Sequence, residues 1–239
     1  MAARGLFIGG TSTEVGKTHV AAMIARALVA EGRRVGVYKP AASGCRREGD
    51  GLVADDAAAL WNAAGRPGDL ERVCPQRFLA PLAPPCAARE EGRRVDAALL
   101  RSGVDCWRTT CELVLVEGAG GLMSPLGDGA RDYNIDVAAD LGFPLVLVAA
   151  NELGVINQVL QALLAAHVRA PGLPVAGLVL NHAARRDDDA SLATNASELA
   201  RRAGVPILAD VAFGRDEFDV AVDWFAAAAL PASAWPTTR

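Results

Sequence analysis

Residues 6 to 20 read L-F-I-G-G-T-S-T-E-V-G-K-T-H-V. An apolar run enters a glycine-rich turn, and Gly16-Lys17-Thr18 closes that turn where an alanine-rich helical stretch begins. Strand, glycine turn and helix in this order make a phosphate cradle. Backbone N–H groups at a helix N-terminus face an anion, and the helix dipole favours it. Lys17 is placed to reach the β- and γ-phosphates of a nucleotide, and the Thr18 hydroxyl to ligate Mg²⁺. The spacing is unusual. Five residues separate Gly10 from Gly16, one more than the common form, and Thr11 stands where the first glycine is usual.

Outward from this loop, short apolar runs alternate with helical stretches. The strand candidates are Leu6–Gly9, Arg34–Tyr38, Leu113–Glu117, Leu145–Ala149, Val175–Asn181 and Val205–Ala209. Most are rich in Val, Ile and Leu without polar alternation, as in parallel strands buried on both faces. The helix candidates are Lys17–Glu31, Asp55–Ala64, Asp96–Cys111, Asn134–Leu141, Val155–Arg169, Ser191–Ala203 and Asp216–Ala228. Gly32, Gly142, Gly172 and Gly204 follow helical runs as C-cap candidates. The alternation predicts an α/β fold, a parallel sheet flanked by helices on both faces, of the P-loop NTPase type. It reads as one domain over residues 1–239, with 231–239 as a frayed tail. The least regular stretch, Gly65–Glu91, is proline-rich; so long an excursion is either functional or disordered.

Ligands of open α/β sheets bind beyond the carboxyl ends of the strands. Those ends carry the chemistry. Strand one leads into the glycine loop. Strand two leads into Lys39-Pro40. The third ends at Glu117 and runs into Gly118-Ala119-Gly120-Gly121, the fourth into the Asn151–Asn157 stretch, and the fifth into Asn181-His182. Glu117 stands where a magnesium-binding carboxylate belongs, and Asp55 and Asp56 are further carboxylate candidates. Lys39 points into the same cleft as Lys17. Two ammonium groups beside one triphosphate suit phosphoryl transfer, where catalysis is largely positioning and charge stabilisation.

The composition narrows the class. The chain has 239 residues and a formal net charge of −4, and its arginine pairs are scattered. No basic field for a nucleic acid is implied. The longest apolar run, Pro144–Ala150, is too short to span a bilayer, and the start does not read as a signal peptide, so a cytoplasmic protein with no membrane partner is expected. Five cysteines without a C-x-x-C, and three scattered histidines, argue against zinc. Of 24 basic residues only Lys17 and Lys39 are lysine. Where arginine serves almost everywhere else, these two positions are ones that arginine does not fill.

Four stretches together, G-T-S-T-E-V-G-K-T (10–18), V-Y-K-P-A-A-S-G (37–44), V-E-G-A-G-G (116–121) and L-G-V-I-N (153–157), resemble the dethiobiotin synthetases. The likeness runs from about residue 5 to residue 228 in the same order. In that family the phosphate loop is regularly one residue longer, since it lies between nucleotide and second substrate. The resemblance implies a seven-stranded parallel sheet, a homodimer, and a reaction of ATP, CO₂ and 7,8-diaminononanoate dependent on Mg²⁺. It implies that Lys17 and Lys39 stabilise the transferring phosphoryl group and that Thr18, Asp56 and Glu117 hold the metal. Thr13, Glu14, Val15, Gly16, His19, Gly118, Ala119 and Gly120 would surround the nucleotide phosphates. Asn181 and His182, with Val211, Ala212 and Phe213, would form the base pocket. Thr13, Ser43 and Gly121 would face the second substrate. Leu153, Gly154 and Asn157 would open a helix that takes the substrate carboxylate, from the neighbouring subunit. Two positions depart from the family pattern on its substrate side: Ser12 where Asp is usual, and Pro85 where His is usual. The competing reading is a P-loop switch ATPase of the partition or cell-division type, which acts through partners. Such proteins carry a second lysine early in the loop; here Gly9 to Ser12 contain none.

Overall fold

Six apolar runs do become strands, and they lie side by side in one parallel sheet. In the computed structural model, which describes residues 4–186 and 188–231, the strands are β1 (Arg4–Gly10), β2 (Val35–Tyr38), β5 (Leu113–Glu117), β6 (Leu145–Ala150), β7 (Val175–Asn181) and β8 (Ile207–Val211). Their order is β2-β5-β1-β6-β7-β8. A short exposed hairpin, β3 (Arg46–Glu48) with β4 (Gly51–Val53), stands apart from this sheet and has no apolar signal in the sequence. Leu6, Phe7, Ile8, Leu113, Val114, Leu145 and Val146 are all fully buried, as strands covered on both faces must be.

The long helices fall where their patterns put them: α1 (Lys17–Ala30), α2 (Asp55–Ala63), α7 (Asn134–Leu141), α8 (Val155–Arg169) and α9 (Leu192–Arg202). The proline-rich stretch holds two short ones, α3 (Leu70–Val73) and α4 (Pro84–Glu90). Pro84 and Pro85 occupy the first turn of α4, where a missing N–H costs nothing.

Several expectations are corrected. The main sheet has six strands among the described residues, as the hydrophobic pattern reads, and not the seven that the resemblance implies. The last strand begins two residues later than expected, because Pro206 has no N–H to give to the ladder. The expected helix Asp96–Cys111 is two single turns, α5 (Leu99–Ser102) and α6 (Asp105–Arg108). Tyr38 is the reason: its hydroxyl donates to the Leu99 carbonyl at 2.6 Å, and its ring lies so close to Gly103 that a Cβ there would meet Oη at 2.2 Å. The expected helix Asp216–Ala228 shrinks to α10 (Trp224–Ala227), which starts where the Asp223 carboxylate accepts from the Ala226 N–H at 2.8 Å. Gly172 is not a cap; α8 ends at Ala170. Of the expected tail, residues 232–239 lie outside the described residues.

Candidate active site

The glycine loop is held in a shape few residues can take. Gly16, the N-cap of α1, has φ 87°, and a Cβ there would stand 2.0 Å from the Asn181 amide nitrogen. Asn181, at the end of β7, donates to the Val15 carbonyl at 3.0 Å and so ties the loop to the sheet. Glu14 is also left-handed, at φ 60°, a conformation that costs free energy for a non-glycine residue and gathers at binding loops. The first intrahelical bond of α1 runs from Val20 N–H to the Gly16 carbonyl at 3.0 Å. The N–H groups of Lys17 and Thr18 therefore have no acceptor within the helix, and they open towards an anion. Lys17 folds back over the loop, its ammonium donating to the Ser12 carbonyl at 2.9 Å. Any residue at position 12 supplies that carbonyl, so the unusual Ser12 leaves Lys17 undisturbed.

Four functional side chains then meet. Glu117 Oε1 accepts from Thr18 Oγ1 at 2.7 Å and from Lys39 Nζ at 2.7 Å. The same ammonium lies 2.9 Å from Asp56 Oδ2. Lys17, Lys39 and Glu117 are buried, at 7%, 2% and 1% exposed. Burial alone would lower the pKa of Lys39, but the charges and hydrogen bonds of Glu117 and Asp56 outweigh it, and the net direction is upward. Asp56 moves down: its burial opposes the shift, and the Lys39 ammonium prevails. Lys17 behaves oppositely to Lys39. Burial pulls it down to about 8; Glu117 resists, and the charge of Lys39 adds to the fall.

Glu117 Oε2 is buried with no hydrogen-bond partner. A buried carboxylate oxygen without a donor is costly unless something positive meets it. Thr18, Asp56 and Glu117 together offer only oxygens, which suits a hard cation such as Mg²⁺ that keeps most of its shell from water and phosphate.

These groups line a cavity of about 1010 Å³. It is lined by sixteen of the residues expected from sequence: Thr13, Glu14, Gly16, Lys17, Thr18, His19, Lys39, Ser43, Asp56, Glu117, Gly118, Ala119, Gly120, Asn181, His182 and Phe213. Seven others are not in its wall. Val15 and Val211 are buried core residues. Ala212 supplies its carbonyl to the Arg215 N–H, and Gly121 gives its N–H to Ser124 Oγ. Leu153, Gly154 and Asn157 lie on the outer surface at the start of α8, where the Leu153 N–H is taken by the Asp189 carboxylate at 2.8 Å. Pro85, in the first turn of α4, is buried and does not line the cavity, whereas Pro84 does.

The structure adds residues that sequence reasoning missed. Pro81, Leu82, Ala83 and Pro84 form one wall, and Ser124 and Gly214 complete others. The irregular Gly65–Glu91 stretch was the available signal for the first four. Asn134 had none. It is 1% exposed, and its amide nitrogen donates to the Ala119, Gly121 and Ser124 carbonyls at 2.7, 2.8 and 3.2 Å. Its oxygen accepts from the Ala119 N–H at 3.0 Å. One side chain thus fixes the whole turn after Glu117.

Comparison with known proteins agrees with this geometry. A family model described as an AAA domain matches residues 4–216. Solved structures share the fold: the chloroplast FtsY of Physcomitrella patens superposes with TM-score 0.53 at 17% identity, covering 96% of this chain and 66% of that one. The 54 kDa signal recognition particle protein of Aeropyrum pernix gives 0.54 at 17% identity, covering 90% and 43%. Sequence relatives are much nearer. The ATP-dependent dethiobiotin synthetase BioD of Rhodopirellula baltica is 46% identical over 219 residues, 86% of this chain and 82% of that one. The enzyme of the same name from Anaeromyxobacter dehalogenans is 44% identical over 198 residues, 83% and 85% of the two chains. That of Phenylobacterium zucineum is 40% identical over 210 residues, 85% and 86%. With its lengthened glycine loop, its two buried lysines and this degree of identity over most of its length, the chain belongs to the dethiobiotin synthetase family.

Proposed function

We propose that this chain closes the ureido ring of dethiobiotin in biotin biosynthesis, from 7,8-diaminononanoate, CO₂ and ATP. One substrate amine adds to CO₂ and loses a proton, giving a carbamate. A carbamate oxygen attacks the γ-phosphorus, the bond to the β-phosphate oxygen breaks, and ADP leaves. The second amine attacks the carbonyl carbon of this mixed anhydride and gives up a proton, phosphate departs, and the five-membered urea ring is complete.

The observation that carries this reading is the pairing of Lys17 and Lys39 in one cavity. Both ammonium groups are buried, and the cavity is roomy enough for a nucleotide and a second small molecule. Phosphoryl transfer spreads negative charge over equatorial oxygens, and fixed cations in a dry site stabilise that charge strongly. Thr18, Asp56 and Glu117 would hold Mg²⁺, and the unpartnered Glu117 oxygen supports this. Ser43 and the Pro81–Pro84 wall line the same cavity and would face the second substrate. The substrates are water-soluble, which supports a cytoplasmic enzyme.

A homodimer is part of the same reading. Leu164 and Val168 on α8 are 62% and 72% exposed, and Leu153 before it is 80% exposed. Leu164 and Val168 share a face with Asn157, which stands at the end of α8 proposed to serve a neighbour's substrate.

The test is incubation with diaminononanoate, bicarbonate and MgATP, followed by mass detection of dethiobiotin. ATP turnover should require both co-substrates and ignore DNA and lipid vesicles. Strong stimulation by DNA with no dethiobiotin formed would return the chain to the switch-ATPase class.

A further inference from the structure

The amino end of β2 borders a second cavity, of about 480 Å³, lined by residues from α1, α2, α3 and α6 and the turns beside them. Its size is that of a small-molecule site. Three arginines line it, Arg33, Arg34 and Arg72, and no acidic side chain does. Arg33 and Arg34 share one carboxylate, Glu112, at 3.5 and 3.7 Å. Arg72 lies 3.7 Å from Asp69. Arg34 Nε also donates to the Thr110 carbonyl at 3.3 Å, and Arg33 lies over the Phe225 ring at 4.0 Å. Each guanidinium has five N–H donors, so these contacts leave donors to spare.

Buried donors say more. Four buried side-chain polar atoms lack a hydrogen-bond partner among the described residues: Glu117 Oε2, Arg33 Nε, Trp107 Nε1 and Arg108 Nε. The first marks the catalytic cavity. The next two belong to residues lining the second cavity, and both are donors. Neither atom has an acceptor within the described residues. Much of the remaining wall is apolar, with the Trp107 side chain, Val29, Val35 and Pro67, and it also includes Thr110, Cys106 and Cys111. The Trp107 side chain is wedged by two glycines; a Cβ on Gly36 would meet its Cβ at 2.8 Å, and one on Gly68 its ring at 3.1 Å.

The elements bounding this cavity are those that carry the catalytic groups. Helix α1 begins with Lys17 and Thr18 and reaches the cavity at Val29, about 20 Å away along its axis. Strand β2 begins at Val35 in the cavity wall and leads directly into Lys39. Helix α2 carries Asp56 in its first turn, and Ala64 just past its end lines the cavity.

We propose that this second cavity binds an aliphatic monocarboxylate, with the carboxylate among the arginines and the chain against Trp107, and that its occupancy biases the catalytic cluster through α1, β2 and α2. Under the reaction proposed above, acceptor and product are both aliphatic monocarboxylates, so the site would sense their level; that biological role alone rests on that reading.

The test uses the full chain and octanoate, detected by saturation-transfer NMR, with a non-hydrolysable MgATP analogue at saturation. Octanoate should bind in the presence of the analogue. Arg72→Glu, at an exposed residue, and Thr110→Trp, which fills the exposed rim, should each weaken octanoate at least about tenfold and leave analogue affinity measured alone unchanged. Octanoate should shift the analogue's dissociation constant by the same factor as the analogue shifts octanoate's, since coupling is reciprocal. Displacement of octanoate by the analogue, or equal binding to both variants and wild type, overturns the site. Equal binding of inorganic phosphate overturns the aliphatic part, and a coupling factor of one overturns the link to catalysis. Dethiobiotin formation by both variants without octanoate separates these failures from failure of the proposed reaction.

Discussion

Replacing Lys39 by arginine keeps the charge and changes the shape of the donor. An ammonium is a compact point charge, and a guanidinium is a wide planar fork. Lys39 Nζ fits between Glu117 at 2.7 Å and Asp56 at 2.9 Å, in a spot 2% exposed. The fork overfills that spot. Lys39→Arg is expected to lower kcat by about 10²–10³, the usual cost of losing one aimed charge, while nucleotide affinity changes little. Single-turnover product formation beside a nucleotide titration checks this; a near wild-type rate would reduce Lys39 to a buried counter-ion. Glu117→Gln probes the same cluster from the anionic side. It keeps the size, removes the charge opposite Lys39, and should raise the Mg²⁺ concentration needed for half-maximal turnover with folding retained. An unchanged Mg²⁺ profile would remove Glu117 from the metal's ligands. Lys17 gives a pH prediction. Its pKa of about 8 in the free protein lies under the ordinary 10.5 because burial disfavours the charge. Nucleotide phosphates favour the protonated form, so binding above about pH 8 must take up a proton and weaken towards about tenfold per pH unit. Calorimetry in buffers of different ionisation heat checks both; pH-independent binding between about 7 and 9.5 refutes it. For folding the sign is reversed. Between the folded value and the unfolded one the unfolded chain holds more protons, so this residue's contribution to stability rises with pH there.

At the scale of an element, the turn after β5 depends on Asn134, the first residue of α7. Three carbonyls accept from its amide, so Asn134→Asp sets a carboxylate against three acceptors. An acid in a first helical turn gains about 0.3–1 kcal/mol from the dipole, whereas leaving buried polar groups unpaired costs about 1–3 kcal/mol each. Loss wins. Urea unfolding should show destabilisation of about 3 kcal/mol, and turnover should fall further than stability requires because Gly118–Gly120 line the cavity. Unchanged stability would mean that the turn holds itself. The same residue shows where sequence reading stops. Lys17, Thr18, Lys39 and Glu117 were legible because each sits at the end of a buried strand or the start of a helix, positions that periodicity marks. Asn134 and the loop-fixing role of Asn181 depend on hydrogen bonds across the fold, to Ala119 and to Val15, which no local pattern encodes. The same holds for Tyr38, whose bond to Leu99 divides a stretch with a helical pattern. The wall Pro81–Pro84 was visible only as irregularity.

Over the whole molecule, the sheet order brings the polar strand ends to one edge, and that much followed from strand–helix alternation. The outer face of α8 is different. Leu153 and Gly154 just before it, and Asn157 in its first turn, belong to the family resemblance, yet they do not line this chain's own cavity. A functional segment outside its own site makes sense when it completes a site on a second copy. The surface around it is suited to association: Asn157, Leu164 and Val168 fall on one side of the helix at spacings that differ by small angles about its axis, and the two apolar ones are largely exposed. Helix geometry leaves Ile156 and Asn157 N–H without an acceptor within α8, free to meet a carboxylate from across the interface. Fully burying an exposed Leu or Val contributes about 1.5–3 kcal/mol, and a symmetric dimer counts each side chain twice. Leu164→Glu should therefore weaken the proposed dimer at least about a hundredfold. Nucleotide binding should stay intact, because no residue of that face lines the cavity that holds Lys17, Lys39 and Glu117, while dethiobiotin formation should fall with the fraction of dimer. Sedimentation and turnover measured across one dilution series check the two together. A variant that sediments as a monomer and still closes the ring at the wild-type rate would show that each subunit holds its whole substrate site, and α8 would lose its assigned role.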